Sequence, residues 1–265
     1  MSLEYAPRGF VGVLTPQSNT TVEPEFGILL PRGMGLLAAR LVSTQPDMER
    51  RLDDYFDNLN LATAQFADAP LRSLGVACTG SSYLAGRERE DEIFDELRQR
   101  KGMHITSSAL AVVDALRTLK AHRIGLVSPY PEGLDQRSVD YWQSRGFRVQ
   151  AKSKVVHGKG HRQPSGPANP IYAIDSDAVM AAFEPLRGQA LDAVVMLGTG
   201  MPSLKSILHV PSLGGAPVFS CTLALAWRCA CAAQGIALTA DSLRDWIAGT
   251  HWRARFNASI QQHEL

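Results

Sequence analysis

The chain has 265 residues, 45% apolar and 20% charged, with a formal net charge of +1. This length allows one large domain or two modest ones and can bury a sizeable core, while the charge balance excludes the basic excess of a nucleic-acid binder and the composition of a disordered chain. No apolar run approaches the ~18 residues of a membrane span, no apolar signal core is seen in residues 1–9, and four cysteines do not make a disulfide framework, so free thiols in a reducing cytoplasm are expected.

The first predicted element is a strand over residues 10–14. A helix follows, with Glu23 near its N-terminus as a charge that complements the dipole. A strand over 36–42 leads to a helix over 49–67, where Leu52, Tyr55, Phe56, Leu59, Ala62 and Phe66 recur at three- and four-residue steps. A strand over 74–77 runs into Cys78-Thr79-Gly80-Ser81-Ser82. A charged, solvated helix is expected over 88–101 and a well-capped one over 108–121. Further strands fall at 124–127, 147–151, 193–197 and 217–220. Residues 157–170, rich in Gly, Pro, His and Lys, read as a loop. The stretch 222–233 reads as an apolar helix, with Cys229 and Cys231 as core. Short, continuous, often β-branched strands alternating with helices predict an α/β fold with parallel sheets.

The two halves of the chain resemble each other. Gly12-Val13-Leu14-Thr15-Pro16 matches Gly125-Leu126-Val127-Ser128-Pro129. About seventy residues beyond each lies a second strand end, Cys78-Thr79-Gly80 in the first half and Gly198-Thr199-Gly200 in the second. This predicts two similar lobes, residues 1–115 and 116–265, with a return of the C-terminal helix to the first lobe left open. Ligands bind beyond the carboxyl ends of parallel strands. Lobes related by a pseudo-twofold axis would bring these four ends to one crevice. Threonine hydroxyls and glycine N–H groups there suit a carboxylate or an enediolate; the alternative is a set of ordinary strand-to-helix turns.

Cys78 is the sharpest single residue. A cysteine near a helix N-terminus can have a lowered pKa and could move a proton or attack as a thiolate; the alternative is a buried, inert thiol. Cys221, after the last strand, could approach the same crevice. His157 and His161 have a metal-ligand spacing, but Gly158 and Gly160 between them argue against the helix this needs. Phosphate-binding glycine motifs are missing, so no nucleotide is expected.

These segments resemble the aspartate/glutamate racemase superfamily, in the branch of maleate cis-trans isomerases and arylmalonate decarboxylases. The carrying residues are Pro16-Gln17-Ser18-Asn19-Thr20-Thr21-Val22-Glu23, the Cys78 and Gly198 segments, and Ser128-Pro129-Tyr130. The resemblance implies two flavodoxin-like lobes around a site that uses no cofactor or metal. It implies that Tyr130, Thr79, Gly80, Ser81, Thr199 and Gly200 grip a carboxylate, and that Pro16, Ser18 and Asn19 border a second one. Asn169 matches a ligand-binding asparagine of the isomerases. The racemases and isomerases of the branch carry one cysteine per lobe. This chain has Cys78 in the first and Gly198 where the second belongs, which argues against two-base racemisation.

The expectation is a decarboxylating lyase on a small carboxylic acid, with Cys78 protonating an enediolate and Leu41 and Val42 forming an apolar wall. The alternatives are a maleate-type isomerase with Cys78 as nucleophile, and a carboxylate-binding protein without activity. No nucleic acid or membrane partner is expected, and a homo-oligomer is compatible with the sequence.

Overall fold

Each half of the chain builds its own parallel sheet. In this computed structural model, which describes residues 3–156 and 170–261, the first sheet holds β1 (Phe10–Pro16), β2 (Gly35–Leu41), β3 (Leu71–Val76) and β4 (His104–Ser107), in the order β2-β1-β3-β4. The second holds β5 (Arg123–Ser128), β6 (Arg148–Lys154), β7 (Ala193–Met196), β8 (Ser212–Leu213) and β9 (Ala216–Ser220), in the order β6-β5-β7-β9-β8. Only β8 runs antiparallel, against β9. The four parallel strands of each half therefore follow one order: second, first, third, fourth. Apolar runs without alternation produce these strands because helices cover both faces.

Two predicted elements change shape. The predicted helix over 49–67 is two helices, α2 (Met48–Asp57) and α3 (Leu59–Ala64), after α1 (Val22–Leu29). The break falls at Asn58, whose backbone leaves helical geometry at φ −99° and ψ 13°. The predicted helix over 88–101 is the distal part of α4 (Thr79–Lys101), which is kinked at Gly86. The strand β4, only four residues long, was not predicted. Neither were α6 (Glu132–Ser144), α7 (Ser176–Ala181), α8 (Leu204–His209), α10 (Ala240–Ala248) and α11 (Arg253–Gln261). The helix α5 (Ser108–Thr118) appears where expected, capped by the Ser107 hydroxyl accepting from the Leu110 N–H.

The apolar helix is α9 (Cys221–Gln234), and it explains how the halves are joined. It starts at the end of β9 in the second sheet but packs on β3, β4 and β1 of the first, and along α5. A helix apolar all round must be covered on all sides. Close approach is possible because β3 offers Gly75, where a Cβ would lie 3.1 Å from Cys229 Sγ and from Leu225. The Ser73 hydroxyl donates to the Cys229 carbonyl at 2.9 Å. No helix among the described residues is long and apolar enough to cross a membrane.

Candidate active site

The matched strand ends of both sheets open onto one cavity of about 250 Å³. Pro16, at the end of β1, lines it with Ser18 and Asn19. Cys78, Thr79 and Gly80 enter from the end of β3, Tyr130 from beyond β5, and Gly198, Thr199 and Gly200 from beyond β7. These ten expected residues share one wall system although they come from four separate strand ends.

Hydrogen bonds fix the two lobes against each other at this point. The Thr199 hydroxyl donates to the Ala77 carbonyl at 2.7 Å. Asn19 Nδ2 lies 3.5 Å from Thr199 Oγ1, while Asn19 Oδ1 accepts from the N–H groups of Thr21 and Val22 and so caps α1. The Thr21 hydroxyl donates to the Gly200 carbonyl at 2.8 Å. Thr79 and Tyr130 share a hydroxyl–hydroxyl bond of 2.8 Å across the cleft. One of the two donates to the other, which leaves the acceptor's proton for a ligand.

Cys78 is 4% exposed and caps α4. Its position at a helix N-terminus predicts an acidic thiol, but burial outweighs that effect and pushes the thiol above its ordinary range. The Ser81 hydroxyl, 3.2 Å from Sγ, pulls the other way, as do the N–H groups of Ser81 and Gly80. Cys78 is therefore a neutral thiol near pH 7. Burial likewise holds Tyr55, Tyr130 and Tyr172 above the usual phenol range, so they face the cavity as neutral hydroxyls.

Several expected positions move. Ser81 does not line the cavity; it sits behind Cys78 as the partner of its sulfur. Leu41 is buried in the first-sheet core and Val42 is 60% exposed, so neither forms the apolar wall. That wall is Met48, Leu52, Leu134 and Ile171. Cys221, at the start of α9, is fully buried and does not line the cavity. Burial pushes its thiol up to about 12, against the Gly198 N–H and the Thr79 hydroxyl, which lower it. Glu23 pairs with Arg40 rather than standing free at the α1 terminus. His157, His161 and Asn169 lie outside the described residues.

Gly198 is more than an absent thiol. Its φ is +83°, and a Cβ there would meet Ile171 Cδ1 at 2.8 Å and Pro129 Cγ at 2.9 Å. A side chain at this position is both strained and blocked.

Sequence reasoning missed Arg51, Tyr55 and Tyr172. Arg51 and Tyr55 belong to α2, whose periodicity reads as a packed amphipathic helix. Tyr172 follows residues 157–170, which read as a loop in the sequence. None of the three sits at a strand end, where ligands of parallel sheets bind.

A sequence profile of the arylmalonate decarboxylase family matches residues 11–242. The maleate isomerase of Nocardia farcinica is 27% identical over 229 residues, covering 82% of this chain and 87% of the relative. The maleate isomerase of Geobacillus stearothermophilus is 24% identical over 234 residues, covering 82% and 89%. Among solved structures, a cysteine-to-serine mutant of the Nocardia farcinica maleate cis-trans isomerase, with a covalently bound succinylcysteine intermediate, superposes with a TM-score of 0.75 at 24% identity, over 89% of this chain and 98% of that one. Arylmalonate decarboxylase superposes with a TM-score of 0.66 at 18% identity, over 86% and 94%. These likenesses bear out the two-lobed α/β fold.

Proposed function

The chain belongs to the arylmalonate decarboxylase family of enzymes, and from that premise we propose that it decarboxylates a 2-substituted malonate without a cofactor, with Cys78 as the proton donor. One observation carries the reading: Cys78 is the thiol lining the cavity among the described residues, with Gly198 across from it.

In this mechanism the carboxylate that stays is held by the Thr79–Tyr130 hydroxyl pair and by the N–H groups of Gly80, Thr199 and Gly200. The leaving carboxylate is oriented by Ser18 and Asn19 at the border of Pro16, against the apolar residues Leu52, Leu134 and Ile171. Its carbon–carbon bond breaks, carbon dioxide departs, and the electron pair stays behind as an enediolate. The donors around the remaining carboxylate bind this dianion more strongly than the ground state, which is the condition for acceleration. Loss of one such donor typically costs about 2.7–4 kcal/mol. The Cys78 S–H then protonates the carbanionic carbon, and the thiolate recovers a proton from water.

A planar enediolate offers two faces. Cys78 in the first lobe serves one, and a group at position 198 would serve the other. The product should therefore form with one hand, opposite to that made by a donor in the second lobe acting on the same pose. The test is turnover of a prochiral 2-substituted malonate in D₂O, with chiral analysis of the deuterated product. General acid catalysis contributes roughly 10²–10⁴-fold, so Cys78→Ala is expected to lose activity by that order. Full rate and full enantiopurity in Cys78→Ala would remove Cys78 from the mechanism.

Isomerisation of a cis-enedioate is the second reading, favoured by the names of the curated relatives. It requires Cys78 to attack as a thiolate. Among the described residues the cavity lining holds no carboxylate, histidine or lysine to take its proton. Assay of maleate against fumarate separates the readings: the lyase reading expects no interconversion.

A further inference from the structure

The cavity carries an uncompensated positive charge. Arg51, in the first turn of α2, is the charged side chain of its lining among the described residues. Its Nη1 donates to the carbonyls of Gln45 and Pro46, each at 3.1 Å. Those bonds fix the guanidinium in place without neutralising it. Among the described residues no carboxylate forms an ion pair with Arg51, and Glu49 of the same helix lies toward Gly133 of α6. Asp47 caps α2 through the Arg50 N–H, Asp54 accepts from the Ser43 hydroxyl, Asp53 and Asp57 face Arg89, and Glu23 holds Arg40. Around the guanidinium the cavity offers the phenols Tyr55 and Tyr172, both neutral, and apolar side chains. An arginine fixed in a half-buried, largely apolar cavity is a carboxylate receptor awaiting its partner.

On the decarboxylase reading, on which this inference rests, neither malonate carboxylate can be that partner. One occupies the Thr79–Tyr130 hydroxyl pair and the N–H groups of Gly80, Thr199 and Gly200. The other must lose its charge as carbon dioxide, and an ion pair would stabilise it in the ground state and hold it back in the transition state. We infer that Arg51 binds a third acidic group, carried on the 2-substituent, so that the substrate is a malonate with a carboxylate-bearing side chain and the product is a dicarboxylate.

Two pairs of probes test this with the intact protein. In calorimetry, glutarate is expected to bind on the order of 10- to 100-fold more tightly than pentanoate, the gain of one charge-assisted pair. Arg51→Met should abolish that preference. Arg51→Lys, which keeps the charge but not the fork, should retain part of it. In turnover, 2-(2-carboxyethyl)malonate should surpass 2-propylmalonate in kcat/KM by a similar factor, an advantage that Arg51→Met removes. Equal binding of glutarate and pentanoate, or a preference that survives Arg51→Met, overturns the inference whether or not malonates react. Release of no carbon dioxide from either malonate, with Arg51-dependent glutarate binding intact, overturns the decarboxylase reading and leaves the anion site standing.

Discussion

Glu25 is a carboxyl group taken wholly out of water. It projects from α1 of the first lobe and receives the N–H groups of Ser203 and Leu204 and the Ser203 hydroxyl of the second. Desolvation outweighs these bonds and raises its pKa from 4.5 to about 7. The native state then binds more protons than the unfolded state between those values. The stability this contributes is present below pH 4.5 and is lost as pH rises through about 7, a change of roughly 3 kcal/mol. His104 acts in the same window with the opposite sign. Its pKa is depressed from 6.5 to about 4 by burial and by Arg228, so its contribution is lost as pH falls. The two partly cancel in the wild type, and Glu25→Gln separates them. Its thermal midpoint relative to wild type should rise between pH 5 and 7 and level off above that. A difference that does not change with pH would mean that Glu25 is ionised in the native state. At this scale the sequence was legible where a residue stood at a strand end, as Cys78, Thr79 and Gly198 do. It was mute on Glu25 and Arg51, because a charged residue on a helix looks solvated until the helix has a neighbour.

The kink in α4 divides the helix by task. The segment before Gly86 carries Thr79 and Gly80 at the cavity and Ser81 behind the Cys78 sulfur. The segment after it carries Glu90, buried and paired with Arg145 of the α6 C-terminus, and Arg89, which faces α2. Gly86 sits at φ 74° and ψ 174°, a region essentially closed to L side chains. A Cβ at this site would meet nothing within 4 Å, so Gly86→Ala tests backbone strain without a packing term. It should cost about 1–3 kcal/mol by chemical denaturation, and an unchanged midpoint would show that the turn adopts another geometry freely. The kink also accounts for the late start of the predicted helix. Ser81, Ser82 and Gly80 before it are poor helix formers, and only the charged segment beyond it has a helical pattern. Similar causes hid β4, whose four residues follow a helix and a glycine, and the break at Asn58, across which the apolar period continues. The strands β1, β5, β7 and β9 were plain because burial on both faces leaves an unbroken apolar run.

Taken as a whole, the molecule has two sheets of matching order but not two independent folding units. The repeat was visible in the sequence as paired strand ends; the crossing of α9 was not, since an apolar helix does not reveal which sheet it covers. That crossing has a thermodynamic consequence. If the second lobe unfolded alone, α9 would leave β1, β3 and β4 and uncover the face of the first sheet that carries Val11, Val13 and Gly75, while Glu25 would lose Ser203 and Thr199 would lose Ala77. The first lobe would keep its hydrogen-bonded strands but lose α9 from the layer it forms with α1 and α5, leaving part of one face bare, which a parallel sheet does not tolerate. Unfolding should therefore be a single transition. The chain provides a natural test, because its four tryptophans, Trp142, Trp227, Trp246 and Trp252, all lie in the second half. Their fluorescence reports that half, whereas far-UV circular dichroism reports both. In urea the two signals should fall with the same midpoint and slope, as coincident probes do in a two-state system. A fluorescence transition that precedes the loss of ellipticity would mean that the second lobe opens by itself. In that case α9 is a detachable bridge, and the site, with Cys78 on one side and Gly198 on the other, would come apart before the chain unfolds.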